Sequence, residues 1–412
     1  MQSFKNREVT QAHGNELIQN FVPRMGAAYT KERNYDLGPE AHFNVSCLSP
    51  YIRRRLVLEH DVVAAAVAAH GREAADKFVQ EVFWRGYFKG WMEQRPDVWA
   101  SYRQGLSSDL QALDRDRRLY RAIEIAETGH TGLECFDAWV KELVETGYLH
   151  NHARMWFASI WIFTLQLPWR IGADFFYRHL LDGDPASNTL GWRWVAGLHT
   201  RDKPYVAQAW NIAQFTSQRF TPTETELASH ILSLADEEPD GLPPVRGLRP
   251  VRLPMQGLPT ALLITEEDCR VEDFNLTELD LRATATLAAG HLRSPRPVAD
   301  GVVQFEAKAL ADASARINVI SSAGIVSLRA GDAVDLVNWA KRFGAQQIAT
   351  PYVPEGPLRD WLRDAELMLA QSGIRLCEWR RGWDSAIWPH ATAGFFKVKA
   401  RIPAILKQAG IF

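Results

Sequence analysis

Apolar residues in the first half of the chain recur at helical spacing. From Asp61 to Met92 they occupy positions i, i+3, i+4 and i+7. The segments Cys135–Leu149 and His152–Leu167 repeat this pattern. No convincing strand pattern interrupts these segments, so the first part of the chain is predicted to be all-helical.

The pattern changes after a stretch that contains five prolines, Ala235–Pro254, which suits neither a helix nor a strand. Short apolar or β-rich runs follow, and helical patterns separate the later ones. These runs are 261–265, 324–328, 346–350 and 374–379. The alternation predicts a small Rossmann-like α/β domain with a parallel sheet. The predicted organisation is a helical domain at 1–234, a linker at 235–259 and the α/β domain at 260–412.

Charge and composition narrow the classes of function. The 412 residues carry a formal net charge of −2, so no global positive field attracts nucleic acid. Any contact with DNA has to come from a local basic rim. A hydrophobic content of 46% and a charged content of 23% are typical of a soluble globular protein, whereas fifteen tryptophans are unusual.

The cysteines and the chain ends indicate the compartment. Cys47, Cys135, Cys269 and Cys377 are far apart and form no CxxC pair, so buried reduced thiols are expected rather than disulfides or an iron–sulfur cluster. The N-terminus lacks the apolar core of a signal peptide. The best membrane candidate, 155–169, is too short to span a bilayer. A cytoplasmic protein without a membrane partner is expected.

The segment Leu180–Gly197 brings acids, an amide and tryptophans together. Asp182, Asp184 and Asn188 resemble the opening of a calcium loop, but the loop's glutamate is replaced by Arg193. No metal site is therefore predicted. A turn followed by a helix N-cap is the commonest role for such acids.

Three further pairs of residues lie close together on predicted helices or at a helix start. They are Glu81 with Trp84, Asn151 with Met155, and Ser46 with Ser49. The first two pairs share one helix face, which alone is more typical of an ordinary amphipathic helix. The serine hydroxyls at a helix start suit a phosphate group.

Together these segments resemble the FAD-binding helical domain of DNA photolyases and cryptochromes. Tyr29 and NVSCLSPYI, EVFWRGYF, GYLHNHARM and Asp182–Trp194 follow the family's GTSRLSPYL, ELxWREFY, GWMHNRxRM and DGDxAxNxxGWxW in order and spacing. On these motifs the stretch from about Tyr29 to Phe220 is identified as a member of this family.

The resemblance implies a noncovalent, U-shaped FAD. Asp182 and Asp184 would accept from flavin N–H groups and sugar hydroxyls, with Arg154 balancing Asp182. Asn188 occupies the position that faces flavin N5, where an amide can donate to one redox state and accept from another. The phosphates would be held by Tyr29, Ser46 and Ser49.

The resemblance also implies a pocket for a pyrimidine dimer flipped out of damaged DNA, single- or double-stranded. Glu81 would bond the damaged pyrimidine, and Asn151 would contact the lesion near the flavin. Trp84 and Trp194 correspond to the two indoles against which the dimer packs, and Met155 to the sulfur beside it.

Electron supply and DNA contact match the family less completely. The tryptophan chain has Trp192 and Trp169, but Tyr120 would have to be the terminal donor. His152 stands where the family has a phosphate-binding arginine. The expected compensating cations are Arg33, Arg201, Lys203 and the run Arg53–Arg55, although a charge run is usually just a solvated face.

The segment after the linker resembles the family's antenna domain, which normally comes first, so a circularly permuted order is implied with an antenna chromophore left open. The favoured function is light-driven, FAD-dependent repair of pyrimidine dimers, the reaction of a deoxyribodipyrimidine photolyase. The first alternative is a cryptochrome-like blue-light photoreceptor that signals through a protein partner. The second is a flavoprotein without photochemistry. The lesion type and the oligomeric state are left open as well.

Overall fold

The computed structural model describes residues 8–320 and 324–412. The first half is helical, as the periodicity predicts. Its helices are α1 (Gln11–Phe21), α2 (Ala27–Glu32), α3 (Ser49–Arg53), α4 (Glu59–Glu93), α5 (Pro96–Leu113), α6 (Arg117–Glu127), α7 (Glu134–Thr146), α8 (Asn151–Ser159), α9 (Trp169–His179), α10 (Pro185–Val195) and α11 (Ala209–Phe215). The helix α8 continues as a π-helical turn over Ile160–Thr164.

Local sequence explains the helix ends that shape the site. Asp184 caps α10 by accepting a hydrogen bond from the Ser187 N–H at 2.8 Å, and Pro185 follows at the first helical position. Gly147 ends α7 with a φ of 69°, a left-handed conformation that favours glycine. Gly71, with a φ of 72°, breaks the long helix α4 into two segments.

The second half contains one five-stranded sheet whose strand pairs are all parallel, in the order β3-β2-β1-β4-β5. The strands are β1 (Pro259–Thr265), β2 (Asp280–Ala288), β3 (Ile325–Arg329), β4 (Gln347–Pro351) and β5 (Arg375–Trp379). The helices between or after them are α12 (Asp300–Ile320), α13 (Ala333–Arg342) and α14 (Pro357–Gln371). The predicted Rossmann-like α/β fold is confirmed.

Two elements of this sheet region escaped the sequence pattern. The strand β2 reads DLRATATLA, in which threonines and an arginine break the apolar run, yet its centre is buried between β1 and β3. The helix α12, which follows β2, was not predicted either. The proposed division at 235–259 and the likeness of this sheet to an antenna domain stay predictions.

The last helices pack back onto the helical region. They are α15 (Gly382–Ile387), α16 (Phe396–Lys399) and α17 (Ile402–Gln408). On α4, a Cβ at Gly86 would lie 3.1 Å from the Ile387 side chain, and one at Gly90 would lie 2.7 Å from the Trp388 backbone. Glycine at these positions therefore permits the close approach of the C-terminal segment to α4.

The interface between the helical and α/β regions contains a buried charge network. The run Arg53–Arg55 is at most 5% exposed, and its partners include the acidic run Glu266–Asp268 that follows β1. The suggestion that these arginines form a DNA-binding rim is therefore wrong. Burial with acidic partners removes them from contact with any phosphate.

The four cysteines are buried, as expected. Among residues 8–320 and 324–412, no helix is long and apolar enough to cross a membrane.

Candidate functional site

One cavity of about 630 Å³ in the helical region collects most of the predicted site residues. Its walls come from α2, the segment before α3, α4, α8, α10 and the loop between α9 and α10. The predicted residues that line it are Tyr29, Arg33, Ser46, Ser49, Glu81, Trp84, Asn151, His152, Arg154, Met155, Asp182, Asp184, Asn188, Trp192 and Trp194. Trp169, Tyr120, Arg201 and Lys203 do not line it.

Two buried carboxylates line the cavity. Arg154 donates from Nη2 to Oδ2 of Asp182 at 2.9 Å. Burial is the largest single influence and would raise the pKa of Asp182, but Arg154, Arg85 and hydrogen bonds to the carboxylate together outweigh it and hold that pKa below its usual value. Asp184 lies 3.5 Å from Nζ of Lys89 and 3.8 Å from Nε of Arg53, and these cations depress its pKa against the effect of burial. Both acids are thus held in their charged form.

The amide of Asn188 has a defined orientation. Its Nδ2 donates to the backbone carbonyl of Ala173 at 2.8 Å, while the side chain lines the cavity. The amide oxygen is then the atom that can accept a hydrogen bond from a group in the cavity. Beside it, Gly191 lines the cavity, and a Cβ built there would meet no atom within 4 Å.

A third acid, Glu81, stands on α4 and lines the cavity with its side chain 39% exposed. Its Oε1 lies 3.6 Å from Nε of Arg33. The cavity walls withdraw Glu81 from bulk water and raise its pKa, and Arg33 only partly opposes this shift. The protonated form, which can donate a hydrogen bond, is favoured more than in an ordinary glutamate.

The two tryptophans predicted to receive a lesion both have aromatic neighbours. Trp194 stacks on Tyr205 with ring centroids 5.3 Å apart. Trp84 stacks on Phe395 at 4.0 Å, with 13° between the ring planes. Phe395 reaches the cavity from the C-terminal end of the chain.

Other aromatic residues extend from the cavity into the helical core. Trp192 lies edge-on to Trp161, with ring centroids 6.3 Å apart. Trp169 is buried and packs on Tyr102 at 5.9 Å, and Tyr102 stacks on Trp99 at 5.4 Å. Tyr120 is 54% exposed at the surface.

The predicted DNA contacts lie in different surroundings. His152 is half-buried beside Trp156, its Nδ1 lies 2.7 Å from the Asn34 carbonyl, and burial lowers its pKa. A neutral imidazole cannot replace the charge of an arginine. Arg201 and Lys203 are exposed, and Arg201 donates to the Glu238 carbonyl at 2.9 Å.

Comparison with known proteins matches this site. The family model described as the FAD binding domain of DNA photolyase covers residues 78–231. Residues 78–231 belong to the photolyase/cryptochrome family. The matched range includes the acid pair, Asn188, Glu81 and the three tryptophans that line the cavity, whereas Tyr29, Ser46 and Ser49 precede it.

The curated relatives of this chain are distant. It is 33% identical over 192 residues to a deoxyribodipyrimidine photo-lyase from Streptomyces griseus, over 46% of this chain and 40% of that protein. Identity to an enzyme of the same name from Thermus thermophilus is 38% over 168 residues, or 39% of this chain and 37% of that protein. A class III photolyase structure from Agrobacterium tumefaciens is 23% identical, with a TM-score of 0.41 over 50% of this chain and 43% of that one. The chain spans less than half the length of the curated relatives it matches.

The buried polar atoms of this photolyase-family site fit FAD. Within the part of the chain that the structure describes, Oδ1 of Asp182 and Oδ2 of Asp184 are buried and have no hydrogen-bond donor, and the cations nearest to Oδ2, Lys89 and Arg53, stay 3.5 and 3.8 Å away. A charged oxygen buried without a donor is unfavourable by about 1–3 kcal/mol or more. The N–H groups and sugar hydroxyls of FAD are donors of the required kind, and Asn188 adds an acceptor.

Several site residues were missed by sequence reasoning. Lys89 lies one turn beyond Arg85 on α4, and its pairing with Asp184 has no local sequence signal. Trp161 and Tyr102 have helical spacing typical of core residues. Phe395 follows a run of small residues near the end of the chain, and nothing in that segment pairs it with Trp84.

Proposed function

We propose that this chain binds FAD noncovalently in the cavity and uses blue light to split pyrimidine dimers in DNA. The observation that carries this proposal is that one cavity is lined by two sets of side chains with different chemistry. One part has the charged pair Asp182 and Asp184 together with Asn188. The other has the partly exposed Glu81 together with Trp84 and Trp194. Aromatic surfaces of this kind suit an uncharged, flat base.

The cofactor part of the cavity would work through fixed charges and directed acceptors. Arg154 keeps Asp182 ionised, so that its free oxygen accepts from a donor of the bound cofactor. Lys89 and Arg53 keep Asp184 ionised as well, and both lie on the side of its Oδ2, at 3.5 and 3.8 Å. FAD bound there in its reduced form would supply the light-driven electron transfer that opens the dimer ring, with the electron returning to the flavin.

The substrate part would orient the dimer and exclude water. Trp84 and Trp194 offer flat apolar surfaces, and extrusion of a dimer is inexpensive because the lesion already weakens stacking. Protonated Glu81 would donate a hydrogen bond to a pyrimidine carbonyl, which strengthens as that oxygen gains charge. Asn151 and Met155, one turn apart on α8, would border the lesion on the flavin side. The names of the relatives, deoxyribodipyrimidine photo-lyase, support the same substrate.

The small number of cations near the cavity favours a second candidate function, a blue-light photoreceptor that acts through a protein partner. The cations near the cavity are fewer than the sequence suggested, because Arg53–Arg55 are buried and burial lowers the pKa of His152. Weak DNA binding would suit a receptor better than a repair enzyme.

A repair assay decides between the two candidates. Pre-reduced protein is illuminated with blue light in the presence of single- or double-stranded oligonucleotides that contain one cyclobutane dimer or one 6–4 product. Loss of the lesion in the light and not in the dark is expected. If neither lesion is bound in preference to intact DNA and neither is split, the repair proposal is wrong and the receptor becomes the leading candidate.

A further inference from the structure

The C-terminal segment contributes an aromatic ring to the cavity. Gly394 and Phe395 line it, and the Phe395 ring stacks on Trp84 at 4.0 Å with the planes 13° apart. Tyr87 meets the same phenyl ring edge-on at 5.7 Å. The next residue, Phe396, points elsewhere and is 68% exposed.

The Phe395 ring covers one face of the Trp84 indole, and a base that stacked there would need the same face. Trp84 also contacts Tyr87 edge-on and Phe88 at a tilt of 39°. Among the described residues, Phe395 makes the only parallel stack on Trp84, at a separation typical of an aromatic stack. A base and the phenyl ring cannot occupy one indole face together.

The segment around Phe395 is held by contacts other than the Phe395 ring, since Arg95 donates to the Thr392 carbonyl at 2.8 Å. Residues 391–394 form a loop of small residues before Phe395, and α16 after it has only four residues. Val398 in α16 is buried and anchors the segment independently of the Phe395 ring. Lys397 and Lys399 are exposed, so an approaching phosphate backbone meets positive charge beside the ring.

We propose that Phe395 occupies the base-stacking face of Trp84 when no substrate is bound and leaves it when an extruded base enters. This inference rests on the proposed function of the cavity as a lesion pocket. In the open form the Phe395 ring has left Trp84. Only a fraction of the protein has this form in the absence of a lesion, and the apparent affinity for a lesion is reduced by that fraction. An intact strand that only touches the basic rim is not affected.

The test compares Phe395→Ala with its neighbour Phe396→Ala in the full-length, FAD-loaded protein. Binding is measured in the dark by fluorescence anisotropy, with a labelled single-stranded oligonucleotide that contains one cyclobutane dimer and with its intact counterpart. Loss of one aromatic stack should let Phe395→Ala bind the dimer strand about two- to tenfold more tightly than wild type. Phe396→Ala should equal wild type, and neither change should alter binding of the intact strand.

Equal or weaker binding of the dimer strand by Phe395→Ala would overturn the inference, because Phe395 would then be a fixed wall of the pocket. Phe395→Leu, which keeps apolar volume but loses the stack, should also bind more tightly and guards against a folding defect in the alanine variant. Flavin absorption of each variant reports an intact cofactor site.

The light-dependent assay separates this inference from the proposed function. If wild-type protein splits the dimer but Phe395→Ala gains no affinity, only the role of Phe395 is wrong. If neither protein prefers or splits the dimer, the proposed function fails and this inference fails with it. If Phe395→Ala splits more dimer than wild type does at limiting substrate, the result supports both the role of Phe395 and the proposed function.

Discussion

Arg53 and Glu267 form two hydrogen bonds, from Nη1 to Oε2 at 2.9 Å and from Nη2 to Oε1 at 2.7 Å, across 214 positions of sequence. The same guanidinium donates from Nε to the Gly183 carbonyl at 2.9 Å. Arg54 donates to the Leu181 carbonyl at 2.6 Å. The α/β region thus supplies the counter-charge for arginines that hold the loop containing Asp182 and Asp184.

Breaking this buried pair should destabilise the whole chain. Glu267→Gln leaves Arg53 buried without its bidentate partner, and the free energy of unfolding should fall by about 3–5 kcal/mol. Urea unfolding followed by circular dichroism measures this change. Asp280→Asn, which removes an exposed partner of Arg282, is the matched control and should leave the midpoint unchanged. A Glu267→Gln midpoint equal to wild type would show that the network carries no stability.

The acid pair should control cofactor binding. Asp182→Ala combined with Asp184→Ala removes both buried acceptors, and the purified protein should lose its FAD, measured as flavin absorbance per protein chain. Asp202→Ala, an exposed aspartate in the following loop, should retain full occupancy. Full FAD occupancy in the double variant would contradict the assignment of these oxygens to the cofactor.

Glu81 should act on splitting rather than on flavin binding. Glu81→Ala removes a hydrogen bond worth about 1.5–3 kcal/mol to a charged group, which is about one to two decades in rate. Flavin absorption should be unchanged, and the yield of splitting should fall less than the rate because electron return competes. Glu81→Gln keeps a neutral donor and should retain more yield than Glu81→Ala. Equal yields in the two variants would mean that the donated hydrogen bond does not matter.

The electron path should begin at Trp192, which lines the cavity. Trp192→Phe should abolish light-driven reduction of oxidised flavin, followed by absorbance, because the nearest donor sets the fastest step. Beyond it, Tyr120→Phe should slow reduction if the exposed tyrosine is the terminal donor. Tyr102→Phe should slow it instead if electrons arrive through the contact of Tyr102 with Trp169. Unchanged reduction in Trp192→Phe would place the entry route elsewhere.

Glu93 should make stability depend on pH. It is buried at the end of α4, where the Tyr352 hydroxyl and the Glu355 N–H donate to it. Burial raises its pKa to about 7, although these hydrogen bonds partly oppose the shift. An unfolded glutamate has a pKa of about 4.3, so folding takes up a proton between these values. The contribution of Glu93 to stability should therefore decrease as pH rises from about 4.3 to 7 and level off above.

Urea unfolding at several pH values tests this dependence. Glu93→Gln, which cannot ionise, should remove a slope of at most about 1.4 kcal/mol per pH unit in that window. Other groups change both proteins equally, so the difference between the two curves isolates Glu93. Parallel curves across the window would contradict the raised pKa.

Much of the fold could be predicted from sequence. Helical periodicity and the proline-rich stretch separated a helical first half from an α/β second half, because the repeat of 3.6 residues and turn residues are local properties. Four of the five strands were recognised as apolar runs. The strand β2 was not, since its burial comes from β1 and β3 on either side and its own residues alternate with threonine.

Sequence motifs also identified the family, because each motif holds its residues at fixed short spacings, as in Asp182, Asp184 and Asn188 along one turn and helix. What those motifs could not contain is contact between distant segments. The burial of Arg53–Arg55 against Glu266–Asp268, and the stacking of Phe395 on Trp84, join residues that no local pattern relates. From sequence alone, a run of arginines is expected to be a solvated surface, whereas in the structure this run is buried among acidic side chains. Only the tertiary structure decided which charges face water and which ring covers Trp84, because desolvation and stacking depend on neighbours in space.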